Sequence, residues 1–278
     1  MSNILINGLA QNTIDCTDRG LHYGDGLFET IALVNGRLQL WPLHMQRLRE
    51  GCKKLNLPCV DEKLWLQDIA QLKTTERCVI KLMFTRGSGG RGYRFPDATD
   101  VTRIVAVYPW PEYPASHAQQ GISVTVCGTT ASVNPALAGL KHLNRLDNVL
   151  ARNEWQDATI AEGLMGDDRG NVIEGTMSNV FAVKDGALLT PQLNRAGVRG
   201  VMRTHVIDMA RQLNIVVQEC DIAMSALHHM HELFLTNSLI GIWPVKQLQS
   251  TDYAIGPVTQ LLINNLKLND HAQDLPFV

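Results

Sequence analysis

Apolar and polar residues along the first half of the chain predict hairpins and amphipathic helices. Leu27–Trp41 predicts two strands joined at Asn35-Gly36, because Asn-Gly is the strongest short signal for a hairpin turn. Pro42 predicts the start of a helix, since proline is favoured in the first helical turn. The pattern also predicts a helix over Asp61–Leu72 and strands over Cys78–Phe84 and Thr102–Val107.

The second half of the chain follows the proline-rich connector Tyr108–Pro114, where proline stiffens the backbone and removes ladder donors. We therefore expect domains at 1–108 and 121–278, joined by a linker at 109–120. The elements expected after the linker are a strand over Ile122–Cys127, a helix over Leu146–Asp157, strands over Gly163–Met165, Val172–Glu174 and Asn179–Val183, a helix over Arg199–Leu213, and a helix from Pro257. Hairpins mixed with helices in both halves favour an α+β fold.

The composition is that of an ordinary folded protein, and it favours a small-molecule partner over a nucleic acid or a membrane. The 278 residues are 45% hydrophobic and 19% charged, with a net charge of -2. Such a charge gives no field that would attract nucleic acid or an acidic membrane. No stretch reaches membrane-spanning length and no export signal precedes the first strand, so we expect a cytoplasmic protein.

The cysteines predict neither a disulfide framework nor a zinc site. There are 6 of them, scattered along the chain without a Cys-x-x-Cys pair. We expect reduced cysteines that mostly occupy the core, and no metal site.

Lys141 is the most informative residue, because it is a cation in the mostly apolar segment Pro135–Ala151. A buried ammonium without a partner is costly, and its pKa usually falls, which makes the amine a nucleophile. Lysine amines attack aldehydes, and pyridoxal phosphate is the biological aldehyde that needs a lysine, an acidic partner and a phosphate cradle. A lone lysine more often covers apolar surface with its stem, so the neighbouring segments decide.

Three other segments supply what a pyridoxal phosphate site needs. Glu174 ends a predicted strand and suits the ring nitrogen, because a nearby carboxylate favours the protonated form. Ala196–Gly200 precedes a predicted helix, whose first N–H groups are suited to a phosphate. Thr236-Asn237-Ser238 follows an apolar strand and adds polar donors. Each segment alone is more often an ordinary cap or turn, but their coincidence favours a site.

These segments resemble those of the fold type IV pyridoxal phosphate enzymes, the class IV aminotransferase family. The similarity runs from Asp18–Thr30 through Lys141 to Thr236–Ser238, nearly the whole chain. It implies a two-domain α+β fold, with a small N-terminal α/β sandwich and a larger C-terminal pseudo-barrel. It also implies pyridoxal 5'-phosphate as the cofactor and a homodimer with the active site between the domains.

The resemblance implies a role for individual residues of this chain. Lys141 would form the Schiff base with the cofactor, and Glu174 would hold its ring nitrogen. The remaining implied ligands all belong to the phosphate: Arg47, Val198, Arg199, Asn237 and Ser238. Without the family, Arg47 would pass for a residue on the surface of a helix.

Within the family, Lys141–Asp147 and Thr85–Tyr93 are most similar to the 4-amino-4-deoxychorismate lyases. Such an enzyme converts 4-amino-4-deoxychorismate to 4-aminobenzoate and pyruvate in folate biosynthesis. Because the substrate carries two carboxylates, its site needs cations, and the resemblance assigns Arg91 and Tyr93 to a carboxylate. Arg86 and Arg94 add to the positive charge of this loop. Lys141 is then also the expected base.

Two other functions stay open from the sequence. A branched-chain or D-amino-acid aminotransferase would use the same scaffold, and Glu29 also occurs in transaminases. Phe28 argues against the D-amino-acid group, whose members tend to carry tyrosine there. A non-catalytic cofactor-binding protein is the alternative from another class, and the presence of both Lys141 and Glu174 disfavours it.

Overall fold

The structure is a computed structural model that describes residues 3–89, 91–98, 100–268 and 274–277. Its backbone contacts divide the chain into two compact units. The first unit comprises the described residues of Met1–Pro111, Leu140–Asn144 and His271–Val278, and the second comprises those of Glu112–Gly139 and Arg145–Asp270.

The elements follow in chain order. The helices are α1 Arg19–Tyr23, α2 Trp41–Leu55, α3 Glu62–Gln71, α4 Ser116–Gln120, α5 Leu146–Arg152, α6 Val201–Gln212 and α7 Pro257–Leu268, with a 3-10 helix at Met224–His229. The strands are β1 Ile4–Ile6, β2 Gly26–Val34, β3 Arg37–Leu38, β4 Arg77–Thr85, β5 Thr102–Pro109, β6 Ile122–Val126, β7 Ile160–Gly166, β8 Val172–Gly175, β9 Asn179–Lys184, β10 Ala187–Pro191, β11 Val217–Cys220, β12 Glu232–Asn237, β13 Gly241–Leu248, β14 Thr251–Asp252 and β15 Leu275–Pro276.

The first unit contains an antiparallel sheet in the order β1-β5-β4-β2-β3-β15. The predicted hairpin at Asn35-Gly36 is confirmed, with φ values of 50° and 69°, as a tight turn between right-twisted strands requires. Helices α2 and α3 bury apolar residues against the sheet, including Trp41 and Trp65 at 1% and 0% exposure. This core fixes the helix that carries Arg47.

The second unit contains a nine-stranded mixed sheet in the order β11-β10-β9-β12-β13-β6-β7-β8, with β14 paired to β13. Its curvature matches the pseudo-barrel expected for fold type IV, and its core includes Leu164, Leu235 and Leu248 at 0% exposure. Strands β9 and β12 are antiparallel, and Asn179 lies opposite Thr236. The start of β9 and the end of β12 therefore lie at one edge of the sheet.

Several expectations about boundaries were wrong. Leu140–Asn144 belongs to the first unit, although the predicted boundaries assign it to 121–278. Helix α5 ends at Arg152 and not near Asp157, because Asn153 and Glu154 form a turn, after which the Trp155 indole donates to the Ile160 carbonyl. Helix α6 begins at Val201, immediately after Ala196–Gly200, as the sequence predicted.

The cysteines agree only in part with the prediction. Cys52, Cys78 and Cys127 are buried, whereas Cys16 and Cys59 are exposed. All of the cysteines are free thiols in this structure. Among the described residues, no helix is long and apolar enough to cross a membrane.

Candidate cofactor site

Lys141 lies in an extended segment of the first unit that pairs with the start of β2. The Phe28 amide donates to the Lys141 carbonyl at 3.0 Å, and the Leu143 amide donates to the Gly26 carbonyl at 3.1 Å. These bonds fix the backbone on both sides of the lysine. Its Nζ atom lies 4.3 Å from the centroid of the Phe28 ring, a distance at which a cation and an aromatic face attract. Phe28 therefore contacts the amine that the sequence singled out.

A buried cluster of Glu29, His44 and Arg47 lies in the same unit. Glu29 is 1% exposed and accepts a bond from the Arg47 Nε atom at 2.8 Å and a contact of 2.6 Å from His44 Nδ1. Burial raises the pKa of Glu29, but the charge of Arg47 and the interactions and hydrogen bonds that Arg47 and His44 make with Glu29 outweigh it and lower the pKa to about 2. Arg47 is thus a half-buried, oriented cation and not the surface residue its sequence context suggested.

The cluster also determines the protonation of His44 and the role of Glu29. Burial lowers the pKa of His44, Glu29 opposes this, and the charges of Arg47 and Lys141 lower it further. His44 is therefore neutral at pH 7, and its Nδ1 proton points to Glu29. Because Glu29 is enclosed by His44 and Arg47, it orients Arg47, and its presence is no argument for transamination.

The loop that carries Arg91 and Tyr93 is exposed, and Tyr93 has 85% of its surface accessible. Its backbone is nevertheless fixed, because the buried Arg19 guanidinium donates to the carbonyls of Gly92 and Tyr93 at 2.9 and 3.3 Å. Arg86, expected to contribute surface charge, is only 1% exposed and donates to Asp25 and to the last carbonyls of α2. Arg86 is therefore a structural residue.

Glu174 lies at the end of β8 in the second unit and is 5% exposed. One of its oxygens, Oε2, accepts the Val198 amide at 2.8 Å. Gly197 precedes that amide with φ +79°, and a Cβ atom on it would lie 2.7 Å from the Ile173 side chain. Only glycine brings the backbone this close. Glu174 also raises the pKa of the nearby Arg145, although burial is the largest influence and lowers it.

The amides of Val198 and Arg199, the expected phosphate donors, make hydrogen bonds inside the protein in this structure. Val198 donates to Glu174 and Arg199 donates to the Gly139 carbonyl at 3.1 Å. The helix begins only at Val201, because Gly200 is extended with φ −63° and ψ 141°. The amides in the first turn of α6 are further candidates for a phosphate, because N–H groups there have no intrahelical acceptor.

Asn179 holds the start of α6 in place. Its Oδ1 atom accepts the Gly200 amide at 3.1 Å, and its Nδ2 atom donates to the Val198 carbonyl at 2.8 Å. A Cβ atom on Gly200 would lie 2.0 Å from Asn179 Oδ1. Helix α6 has no side-chain N-cap, so the Val201 and Met202 amides and the helix dipole are open to an anion.

The segment Thr236-Asn237-Ser238 ends β12 at the same edge of the sheet. Asn237 shapes the turn, since its Oδ1 accepts the amides of Leu239 and Ile240, and its Nδ2 donates to the Met177 carbonyl. Thr236 is fully buried opposite Asn179, and its hydroxyl has no hydrogen-bond partner among the described residues. A buried polar group of this kind needs an acceptor that the protein does not provide.

Each unit, taken by itself, contains groups that suit part of a pyridoxal phosphate. In the first unit these are an amine over an aromatic ring and an oriented arginine, Lys141 and Arg47. In the second unit they are a buried carboxylate, Glu174, and an uncapped helix start, together with the buried Thr236 hydroxyl. The sequence singled out the segment Thr236–Ser238 but not Asn179, Val201 or Met202, because a residue's position at a strand end or helix start requires the register of the sheet.

The fold and these groups define a fold type IV pyridoxal phosphate enzyme, and comparison with known proteins assigns the family. The model for "Amino-transferase class IV" matches residues 26–248. The chain belongs to the class IV aminotransferase family, and its cofactor is pyridoxal 5'-phosphate.

Similar proteins include both lyases and transaminases. The chain is 34% identical to the aminodeoxychorismate lyase of Vibrio harveyi, over 94% of this chain and 98% of that protein. It is 31% identical to a putative branched-chain-amino-acid aminotransferase of Methanocaldococcus jannaschii, over 90% of this chain and 88% of that protein. The crystal structure of 4-amino-4-deoxychorismate lyase from Pseudomonas aeruginosa superimposes with a TM-score of 0.92 and 42% identity, covering 96% of this chain and 98% of that chain.

Proposed function

We propose that this protein is a lyase that converts 4-amino-4-deoxychorismate to 4-aminobenzoate and pyruvate. The observation that carries the proposal is the 42% identity to the Pseudomonas aeruginosa lyase over 96% of this chain. The position of the Lys141 amine at the Phe28 ring supports it, because phenylalanine replaces the tyrosine expected in a D-amino-acid transaminase. The product also locates the enzyme in folate biosynthesis.

In this proposal, the residues divide between holding the cofactor and moving a proton. The bound cofactor supplies an electron sink at the carbon that carries the substrate amine. Lys141 would hold the cofactor at its aldehyde, and its amine would remove the proton from that carbon. Glu174 would keep the ring nitrogen protonated. The enolpyruvyl group would leave the adjacent carbon with the C–O bond electrons and take up a proton to become pyruvate, while the ring becomes aromatic.

The phosphate ligands in this proposal are side chains and backbone amides. Arg47 supplies a guanidinium that Glu29 orients, and α6 supplies the Val201 and Met202 amides. The Thr236 hydroxyl and Ser238 are the ligands from the end of β12. In this structure the amides of Val198 and Arg199 position Glu174 and the segment before α6, since they donate to Glu174 and to the Gly139 carbonyl.

The substrate carboxylates are assigned to the loop of Arg91 and Tyr93. This loop offers an exposed cation and an exposed phenol on a backbone that Arg19 holds. An arginine can bind a carboxylate through two parallel hydrogen bonds, which gives orientation as well as charge. Arg94 pairs with Asp97 at 3.2 Å, so Arg91 is the better candidate of the two.

The homodimer belongs to the same proposal, and helix α5 offers a surface for it. Leu146, Val149 and Leu150 have exposures of 69%, 54% and 55% and lie on one face of the helix. An apolar stripe of this kind marks an interaction surface. Sedimentation of Val149→Asp against wild type tests it, and an unchanged dimer or a monomeric wild-type protein would reject this surface. The cytoplasmic location stays a prediction.

The proposal is tested by incubating the purified holoenzyme with 4-amino-4-deoxychorismate, with and without 2-oxoglutarate. A lyase releases pyruvate and 4-aminobenzoate in equal amounts without any oxo acid. A transaminase, the second candidate because of the relative in Methanocaldococcus jannaschii, requires the oxo acid and branched-chain or D-amino acids. Absence of pyruvate from the reaction, with the cofactor bound, would reject the lyase.

A further inference from the structure

Glu162 is a buried carboxylate on β7 whose partners are all neutral hydrogen-bond donors. It is 1% exposed, and its two oxygens accept the amides of Gly163, Thr176 and Met177 and the hydroxyls of Thr176 and Ser178. A carboxylate is costly to bury, and hydrogen bonds from several donors offset this cost. Four of these five bonds come from one short turn, Gly175–Ser178.

The turn is shaped around this carboxylate. A Cβ atom on Gly175 would lie 2.2 Å from the Ser178 hydroxyl and 3.1 Å from Glu162 Oε2, so the turn has no room for another side chain there. The charge of Glu162 also acts on its neighbours. It raises the pKa of Tyr113 and of Cys127, although burial is the larger cause for both.

Three parts of the candidate cofactor site adjoin this turn. Glu174 immediately precedes it, at the end of β8, and Asn179, which holds the start of α6, immediately follows it. The Met177 carbonyl inside the turn accepts the Asn237 amide nitrogen at 3.1 Å. The ring-nitrogen carboxylate, the helix start and the end of β12 therefore share one support.

We propose that Glu162 is a positioning residue for the cofactor: through its hydrogen bonds to the turn Gly175–Ser178, it fixes Glu174, Asn179 and Asn237 relative to one another. The inference rests on the cofactor placement proposed above. Glu162 itself contacts neither cofactor nor substrate in this scheme. Its loss loosens the support, so that the cofactor binds more weakly and Glu174 meets the ring nitrogen less precisely.

The test is the dissociation constant of pyridoxal phosphate for the apoenzyme of Glu162→Gln, measured by absorbance and fluorescence titration. Glutamine keeps the shape but replaces one accepting oxygen by an NH2 group, which faces donors of the turn. The matched control is Glu232→Gln, since Glu232 is also a buried carboxylate, 4% exposed, that accepts the amides of Val258 and Thr259 at the start of α7. We expect the dissociation constant to rise on the order of tenfold for Glu162→Gln, the size of effect that supporting residues have at metal sites, and to stay near the wild-type value for Glu232→Gln.

The absorption spectrum of the bound cofactor provides a second measurement. If Glu174 is less precisely positioned, the pH at which the absorption of the bound cofactor changes should shift in Glu162→Gln. In Glu232→Gln this pH should stay at the wild-type value. Equal affinities and equal titrations in all three proteins would overturn the proposal. Equal weakening by both variants would also overturn it, because it would indicate general destabilisation of the unit.

A milder variant keeps the inference testable if Glu162→Gln does not fold. Ser178→Ala removes one hydroxyl that donates to Glu162 at 2.9 Å and leaves the carboxylate in place. We expect a smaller rise in the dissociation constant, and an unchanged value would reject the inference. The affinity measurement is independent of turnover. If wild-type holoenzyme released no pyruvate, the proposed function would fail while the role of Glu162 would still be decided.

Discussion

Replacing Glu29 with glutamine removes the carboxylate that Arg47 and His44 share. In the folded protein, the pKa of Glu29 falls from its ordinary 4.5 to about 2, since Arg47 and His44 outweigh the opposite effect of burial. One pKa unit corresponds to about 1.4 kcal/mol, so the ionised form contributes about 3 kcal/mol to folding at neutral pH. Glutamine resembles the neutral acid, and removal of one partner also leaves the Arg47 cation buried without its counter-charge.

The sign of the pH dependence follows from the lowered pKa. Above pH 4.5 the carboxyl group is ionised in both the folded and the unfolded chain, and its full stabilisation is present. As the pH falls below that value, the unfolded chain takes up the proton first, and the stabilisation is lost progressively down to about pH 2. Glu29→Gln should lack this component.

Urea unfolding of the apoenzyme at pH 7 and at a series of acidic pH values measures both effects. We expect Glu29→Gln to lose about 3 kcal/mol of unfolding free energy at pH 7 and to show a flatter acid limb than wild type. Asp97→Asn is the control, because its pair with Arg94 is exposed and should leave the unfolding free energy near that of wild type. A loss below about 1 kcal/mol, or an acid limb parallel to that of wild type, would refute the reasoning.

Other substitutions test the remaining assignments. Lys141→Ala should abolish turnover and the borohydride-trapped pyridoxyl label at this residue, and mapping of the label to another lysine would contradict the assignment. Glu174→Gln should retain the covalent label and lower the turnover number by roughly 100–1,000-fold, as loss of one electrostatic contribution does; an unchanged turnover number would exclude Glu174 as the ring-nitrogen partner. Gly200→Ala should weaken cofactor binding roughly tenfold, because its Cβ would lie 2.0 Å from Asn179 Oδ1 and displace a side chain with two hydrogen bonds. Gly128→Ala, whose Cβ would lie 3.7 Å from its nearest neighbour, is the control, and equal affinities of the two variants would count against the role of Asn179.

Local sequence patterns determined most of the elements. The hairpin at Asn35-Gly36 follows from two residues that accept left-handed backbone, and the helix near Pro42 follows from proline in its first turn. Alternation and apolar runs were enough to identify most of the strands. The ends of the helices were less certain. Helix α5 ends and helix α6 begins where tertiary hydrogen bonds compete with those of the helix, as at Arg199.

Single residues with distinctive chemistry could also be identified from the sequence. Lys141 is a charged residue in a mostly apolar segment, and such a position is costly enough to indicate a role. Glu174 was identified only by its coincidence with the other segments of a cofactor site. The family resemblance added Arg47, although nothing in its own helix distinguished it. Its partner Glu29 lies on β2, and only the packing of α2 on that strand brings the two together.

The chain order by itself thus determined the secondary structure, the two-unit organisation in outline, and the nature of the cofactor. Only the tertiary structure shows where the backbone amides near α6 donate. The Val198 amide donates to Glu174, and the Arg199 amide donates to the Gly139 carbonyl. The tertiary structure also revealed Glu162, four of whose five hydrogen bonds come from residues 14 to 16 positions away in the chain. The physical reason is that propensity and periodicity act over one or two turns, whereas hydrogen-bond satisfaction of a buried group depends on every strand folded around it.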